Sequence, residues 1–211
     1  MALDIIRILL TIGLGIISVF LGLIILRKSP KEALNQLFCL SFLFLGTFFS
    51  AQLPLFILGS LGADAIPLLP FLNLCRDISN ASGIFGAATM LLVSLVASRG
   101  TELLENRVFL VLYAGIITIL AIIGQLNDHV NIDVANATHF LTQNMLGILL
   151  CFILPLLLFT GATLRFGVLW YTLEDSVLKK NILFFFLGMC IIVAGLFYQV
   201  GVTALFGNQF F

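Results

Sequence analysis

Six apolar runs, near residues 4–26, 33–58, 78–97, 108–126, 144–164 and 182–206, are each about as long as the ~20 residues a helix needs to cross a hydrocarbon core. Asp4 and Arg7, in the first turns of the first run, are the only charged residues within them. A water-soluble domain of 211 residues has too little interior to hide so much apolar surface, because its exterior still needs polar cover. The composition agrees: 61% of the chain is hydrophobic and 9% charged, where soluble proteins carry about 25% charged residues. A soluble enzyme, a nucleic-acid-binding module and a disordered regulator are excluded on this ground. The runs are helices, because a backbone in lipid must satisfy its own hydrogen bonds. Residues 116–123 are apolar on both parities, which does not fit the alternation of a β-barrel strand. The expected fold is all-α: one integral membrane domain over residues 1–211, a bundle of six transmembrane helices.

Ten basic and ten acidic residues cancel, so net charge points to no partner, but their placement sets an orientation. The first, third and fifth loops carry Arg27, Lys28, Lys31, Arg99, Arg107, Arg165, Lys179 and Lys180, eight of the ten basic residues. By the positive-inside rule these loops are cytoplasmic, and six spans then leave both termini outside. The first run is too long for a signal-peptide core, lacks a small-residue cleavage site and stops at Arg27-Lys28, so it reads as an uncleaved anchor. The expected location is the plasma membrane. Residues 61–77 are apolar enough for a re-entrant or tilted segment.

Local signals place the helix ends. Ser29-Pro30-Lys31-Glu32 and Thr172-Leu173-Glu174-Asp175 match the capping-box pattern and predict the starts of the second and sixth helices. Gly100 predicts a helix stop. Pro54 and Pro155 lie within helical runs and predict kinks. Gly15, Ser18 and Gly22, then Gly46 and Ser50, then Gly188 and Gly195, are spaced for close helix contact. The two three-span halves share no motif, which argues against an inverted repeat.

Intramembrane polar groups are costly and mark candidate sites. No charged residue falls at the expected centre of a span, which disfavours a carboxylate proton relay and a retinal Schiff base. The polarity gathers instead at the expected outer ends: Arg76, Asp77 and Asn80; Gln125 and Asn127 to His129; His139, Gln143 and Asn144; Tyr198 and Gln199. Two readings stand side by side. Outer helix ends are wet and therefore polar, or these groups converge into a cleft over an apolar floor, the usual makeup of a small-ligand pocket. On the second reading Arg76, Asp77, Asn80, Gln125, Asp128, His139, Gln143, Tyr198 and Gln199 bind the ligand. Arg76 is expected to face the bundle and to meet Asp128, Gln143 or Gln199. Asp128, His129, Asp133 and His139 have ligand chemistry but no recognised metal spacing, so no metal or other cofactor is expected. A hydrolytic His–Asp pair would need a nucleophile on a strained turn, and no such motif is present, so no catalytic residue is assigned. Cys39, Cys75, Cys151 and Cys190 show neither C-x-x-C nor zinc spacing and predict no disulfide. Asn80-Ala81-Ser82 and Asn136-Ala137-Thr138 match the N-glycosylation pattern.

The Arg27-Lys28-Ser29-Pro30 turn, Asn35-Gln36-Leu37-Phe38 leading into an aromatic-rich span, and the polar patch before Gly83-Ile84-Phe85-Gly86-Ala87-Ala88 form a recognisable layout. Over about residues 5–125 it resembles the membrane-embedded, seven-span N-terminal input region of sensor histidine kinases. The resemblance implies a bundle that senses a ligand or partner and passes a conformational signal onward. This sequence lacks the last span and the kinase domain, so a signal would leave through a partner chain. The expectation is a non-enzymatic, sensor-like or accessory membrane subunit, with the lipid bilayer, a partner membrane or signalling protein and a small ligand as its contacts, and no nucleic acid. The alternative is a small transporter or channel component. A polar stripe through several spans favours transport, and a cleft closed at midplane favours sensing. Ligand, partner, organism and oligomeric state are not legible in the residues.

Overall fold

A computed structural model describes residues 2–59, 66–133, 138–143 and 145–206. Among the described residues the elements are helices apart from one short hairpin. Helix α1 (Ala2–Lys28) is followed by α2 (Ala33–Gly59), α3 (Leu69–Arg99), a single turn α4 (Glu102–Glu105) and α5 (Arg107–Gln125). Strands β1 (Asp128–Asp133) and β2 (Thr138–Gln143) pair antiparallel, from Asp128 opposite Gln143 to Asp133 opposite Thr138. The chain then enters α6 (Met145–Ile148), a π-helical turn (Leu149–Ile153), α7 (Leu154–Thr172) and α8 (Ser176–Phe206). Among the described residues five helices are long and apolar enough to cross a membrane: 8–28, 33–58, 66–99, 107–125 and 145–172. In α8 a shorter apolar stretch covers 185–194.

Helix α3 is the hub. In its most apolar stretch 61% is buried, against 17–33% in the other four spans, so it lies inside the bundle and they face lipid. Its sequence explains the position: Ser79, Ser82, Gly83, Gly86, Ala87 and Ala88 present little side-chain bulk and admit close neighbours. Helix α2 crosses it antiparallel, with Ser41 Oγ donating to Gly86 O at 2.9 Å and Ser79 Oγ to Phe48 O at 3.4 Å. Helix α5 is also antiparallel, with Tyr113 Oη donating to Ala88 O at 2.7 Å. Helix α7 runs parallel to α3, from Phe152 near Arg76 to Arg165 Nη2, which donates to Ser98 Oγ at 2.5 Å. The outer pair α1 and α8 pack chiefly on α2 and α7 respectively. The lower core joins α2, α3, α7 and α8 through Phe42, Leu45, Ala87, Met90, Val93, Phe159, Ala162, Phe166 and Met189.

Several expected boundaries shift. The third helix runs over 69–99 rather than 78–97, so residues 69–77 belong to α3, while 61–65 lie outside the described residues. Its Gly100 stop is present, with φ of 92° and its N–H donating to Val96 O. The capping boxes are not. Ser29 begins a turn closed by Glu32 N–H donating to Ser29 O at 3.1 Å, and α2 starts only at Ala33. Thr172 is the last residue of α7, where its hydroxyl donates back to Val168 O and Leu169 O, each at 3.1 Å. The hydroxyl is turned back as a donor to its own helix, away from the following N–H groups that a cap would accept from. The helix over α6 and α7 extends to Thr172, beyond the expected 164. Gly15 and Gly46 do meet the facing helix, but a side chain at Gly188 would meet open space, and Gly195's surroundings lie outside the described residues.

Candidate functional site

Two residues past α5, the chain turns at Leu126 and Asn127 and sends Asp128 back into the bundle. Its side chain is 0% exposed. One face of α3 receives it: Arg76 Nε donates to Asp128 Oδ2 at 2.9 Å, and Asn80 Nδ2 donates to the same oxygen. Arg76 and Asn80 are one helical turn apart, so both reach the carboxylate from one direction. Arg76 is itself only 4% exposed. A buried ion would be prohibitive alone, and the pair with its added amide donor is how this cluster becomes tolerable. Beside it, Gln125 Nε2 donates to the Asp77 carbonyl oxygen at 3.0 Å, tying the end of α5 to the start of α3.

The opposite side of the guanidinium meets the π turn. Phe152 lies under Arg76, with the guanidinium carbon 5.2 Å from its ring centroid, a cation–π arrangement. The turn has a local cause. Pro155 has no N–H, and its ring would clash with the carbonyl four residues back in an α-helix, so one extra residue in the turn relieves that contact. Close packing fixes its place: a side chain on Gly124 would meet Cys151 Sγ at 3.1 Å and Leu150 Cβ at 3.2 Å. Gly147 lies so near the Asn127 carbonyl that no side chain fits there. Pro155 thus marks an irregular turn where a kink was expected.

Next to this cluster is a cavity of about 420 Å³ between α1, α2, α3, the π turn, α7 and α8. Its wall is mostly aliphatic and aromatic, with Arg76, Asn80, Gln52 and Ser18 as the polar members. Phe42, Leu45 and Phe159 belong both to this wall and to the lower core, so that core is the cavity's floor. Arg76 Nη2 is buried and has no hydrogen-bond partner among the described residues.

Arg76, Asn80 and Asp128 of the expected ligand-binding set therefore meet in one cluster, with Asp77 and Gln125 joined at its edge. His139 and Gln143 fall on β2 and Tyr198 and Gln199 on α8, with side chains outside the described residues. Asn80 is 4% exposed and engaged by Asp128, so it is no glycosylation acceptor; Asn136 lies outside the described residues. Among the described residues no group of three metal-ligating side chains assembles, and the four cysteines are free. Gln52 and Phe152 are not among the residues expected from the sequence, and Ser18 is expected there only as a helix-contact residue. Gln52 carried a usable signal, an amide within an apolar span; nothing in the sequence marks Phe152 among 21 phenylalanines. Compared with known proteins, the chain matches no family model, no curated protein and no solved structure.

Proposed function

We propose that this is a six-span membrane protein, with both termini outside, that works as a non-enzymatic sensor-like or accessory subunit in the plasma membrane. The observation that carries the reading is the plugged lower half of the bundle. Below the Arg76 cluster, the space between α2, α3, α7 and α8 is filled by Phe42, Leu45, Met90, Val93, Phe159, Phe166 and Met189. The hydroxyls of α3 at this depth are spent on backbone carbonyls: Thr89 on Phe85 at 2.7 Å and Ser94 on Leu91 at 2.7 Å. A solute path would need polar groups free to replace its hydration, and α3 offers a dry seam. The resemblance of residues 5–125 to the input region of sensor histidine kinases points the same way, toward a bundle that senses a ligand or partner and passes a conformational signal onward.

The π turn supplies an element able to respond. It is an irregular turn packed against a buried ion pair, between a hairpin on one side and the 19-residue α7 on the other. A change beside Arg76 would act on α7 through Phe152.

The test is solute release from liposomes loaded with potassium, protons or a small fluorescent anion. The protein is expected to release none above protein-free vesicles. Stoichiometric, saturable flux would establish the transporter alternative and overturn this reading.

A further inference from the structure

The cavity beside Arg76 has a shape, a chemistry and an access route that together define an occupant. Its wall is almost wholly apolar, and its volume of about 420 Å³ lies in the range of small-ligand sites. Access is from lipid. Among the described residues α1 and α8 make no extensive contact with each other, since α1 leans on α2 and α8 on α7. Ile17 of α1 and Ile191 of α8 line the cavity and are 55% and 73% exposed to what surrounds the bundle. A ligand passing between them arrives from the hydrocarbon.

The polar wall states what its head must be. Arg76 Nη2 is a charged donor with no hydrogen-bond partner among the described residues. Gln52 is 8% exposed, lines the same cavity and makes no hydrogen bond among the described residues. A buried donor left unmet is costly, so Arg76 Nη2 gains from an acceptor, and the Gln52 amide offers a second polar contact on the same wall. A second anion is disfavoured. Asp128 already neutralises Arg76, and another carboxylate would leave the cluster with net negative charge in a low-dielectric wall. An uncharged acceptor meets the donor without that cost.

We propose that the cavity binds a membrane-borne molecule with a long apolar body and an uncharged carbonyl head, whose oxygen accepts from Arg76 Nη2, with Gln52 as the second polar contact. Nη2 has less than 1 Å² of accessible surface, with Phe152 lying against its guanidinium. The carbonyl reaches it as Phe152 turns aside, exchanging a cation–π contact for a charge-assisted hydrogen bond. This inference deepens the sensor reading and rests on it, since displacement of Phe152 is the event the π turn would relay.

The experiment uses the purified full chain in detergent and follows its thermal midpoint against the concentration of three probes of equal length: 2-tetradecanone, tetradecane and tetradecanoate at pH 8. A ligand that binds the folded state raises the midpoint in proportion to its occupancy. The ketone is expected to bind about tenfold more tightly than the alkane, the worth of one good hydrogen bond, and more tightly than the carboxylate. Gln52→Leu, which leaves the ion pair intact, should cut the ketone's advantage about threefold. Arg76→Met combined with Asp128→Leu should abolish that advantage and leave alkane binding as it was. Equal binding of ketone and alkane, or tighter binding of tetradecanoate, overturns the assignment of the head. No shift with any probe overturns the ligand site, while vesicles that hold their contents leave the sensor reading standing. Flux through the liposomes sinks that reading whatever the probes do.

Discussion

Arg76 shows what a single residue discloses before any fold is known. An arginine at the start of an apolar span must either snorkel to water or find a partner, and Asn80 one turn on gave it a polar companion within the same helix. That much narrows the partner to an acceptor at the same end of the bundle. Choosing Asp128 needed the fold, because the two lie 52 residues apart and nothing local separates a buried aspartate from a solvated one. The pair makes a sharp stability prediction. Arg76→Ala strands a buried carboxylate without its counter-charge and should cost about 3–5 kcal/mol in unfolding free energy. Arg76→Lys should recover part of this, since a point cation pairs but the planar fork is lost. The double variant Arg76→Met, Asp128→Leu should return to within about 1 kcal/mol of the parent, because desolvation and attraction are removed together. Unfolding in detergent measures all three. A double variant as damaged as the single one would mean that the shape of this corner, rather than charge pairing, holds the hairpin to α3.

Elements were legible in proportion to how far one rule governs them. Apolar length alone fixes α1, α2 and α5 almost to the residue, since lipid leaves the backbone no alternative to helix. Ends were less legible at Ser29, where the backbone carbonyl closes a turn, and at Thr172, whose hydroxyl donates back into its own helix. The hairpin is the least legible element: Val130 and Ile132 alternate with His129, Asn131 and Asp133 in the strand pattern, but so short a polar stretch between spans reads equally as a connection. The small-residue signal proved selective. A side chain at Gly46 would sit 2.6 Å from Val19 Cγ2, where α1 and α2 touch, whereas one at Gly188 would meet nothing within 4 Å. Gly46→Val should therefore destabilise by about 1–3 kcal/mol through overpacking. Gly188→Ala should be neutral or stabilising by up to about 1 kcal/mol through helix propensity. Equal effects at the two sites, measured by the same unfolding assay, would show that backbone freedom rather than helix contact makes Gly46 a glycine.

At the scale of the whole molecule, charge asymmetry and fold combine into one statement about orientation. The connections that carry Arg27, Lys28 and Lys31, then Arg99 and Arg107, then Lys179 and Lys180 join helix ends on one side of the bundle, because α1 and α2, and α3 and α5, are antiparallel neighbours. Contacts reinforce that side: Arg165 bonds Ser98, and Lys179 stands over the Trp170 ring at 5.8 Å from its centroid. The hairpin end is poorer in positive charge than its sequence implies, since Arg76 there is held and neutralised by Asp128. The positive-inside rule counts basic residues whether or not they are paired, so the bias rests on the cluster of Lys and Arg at the other end. Single cysteines placed in a background lacking the native four should report it. A cysteine at residue 131, on β1, should react with a membrane-impermeant thiol reagent in intact cells. A cysteine at residue 102, on the exposed turn between α3 and α5, should react only after permeabilisation. The reverse pattern would put the hairpin in the cytoplasm and invert the bundle. Labelling of both in intact cells would put the two residues on one side, which needs an even number of crossings between them in place of the single pass of α5, and the six-span count would fall with it.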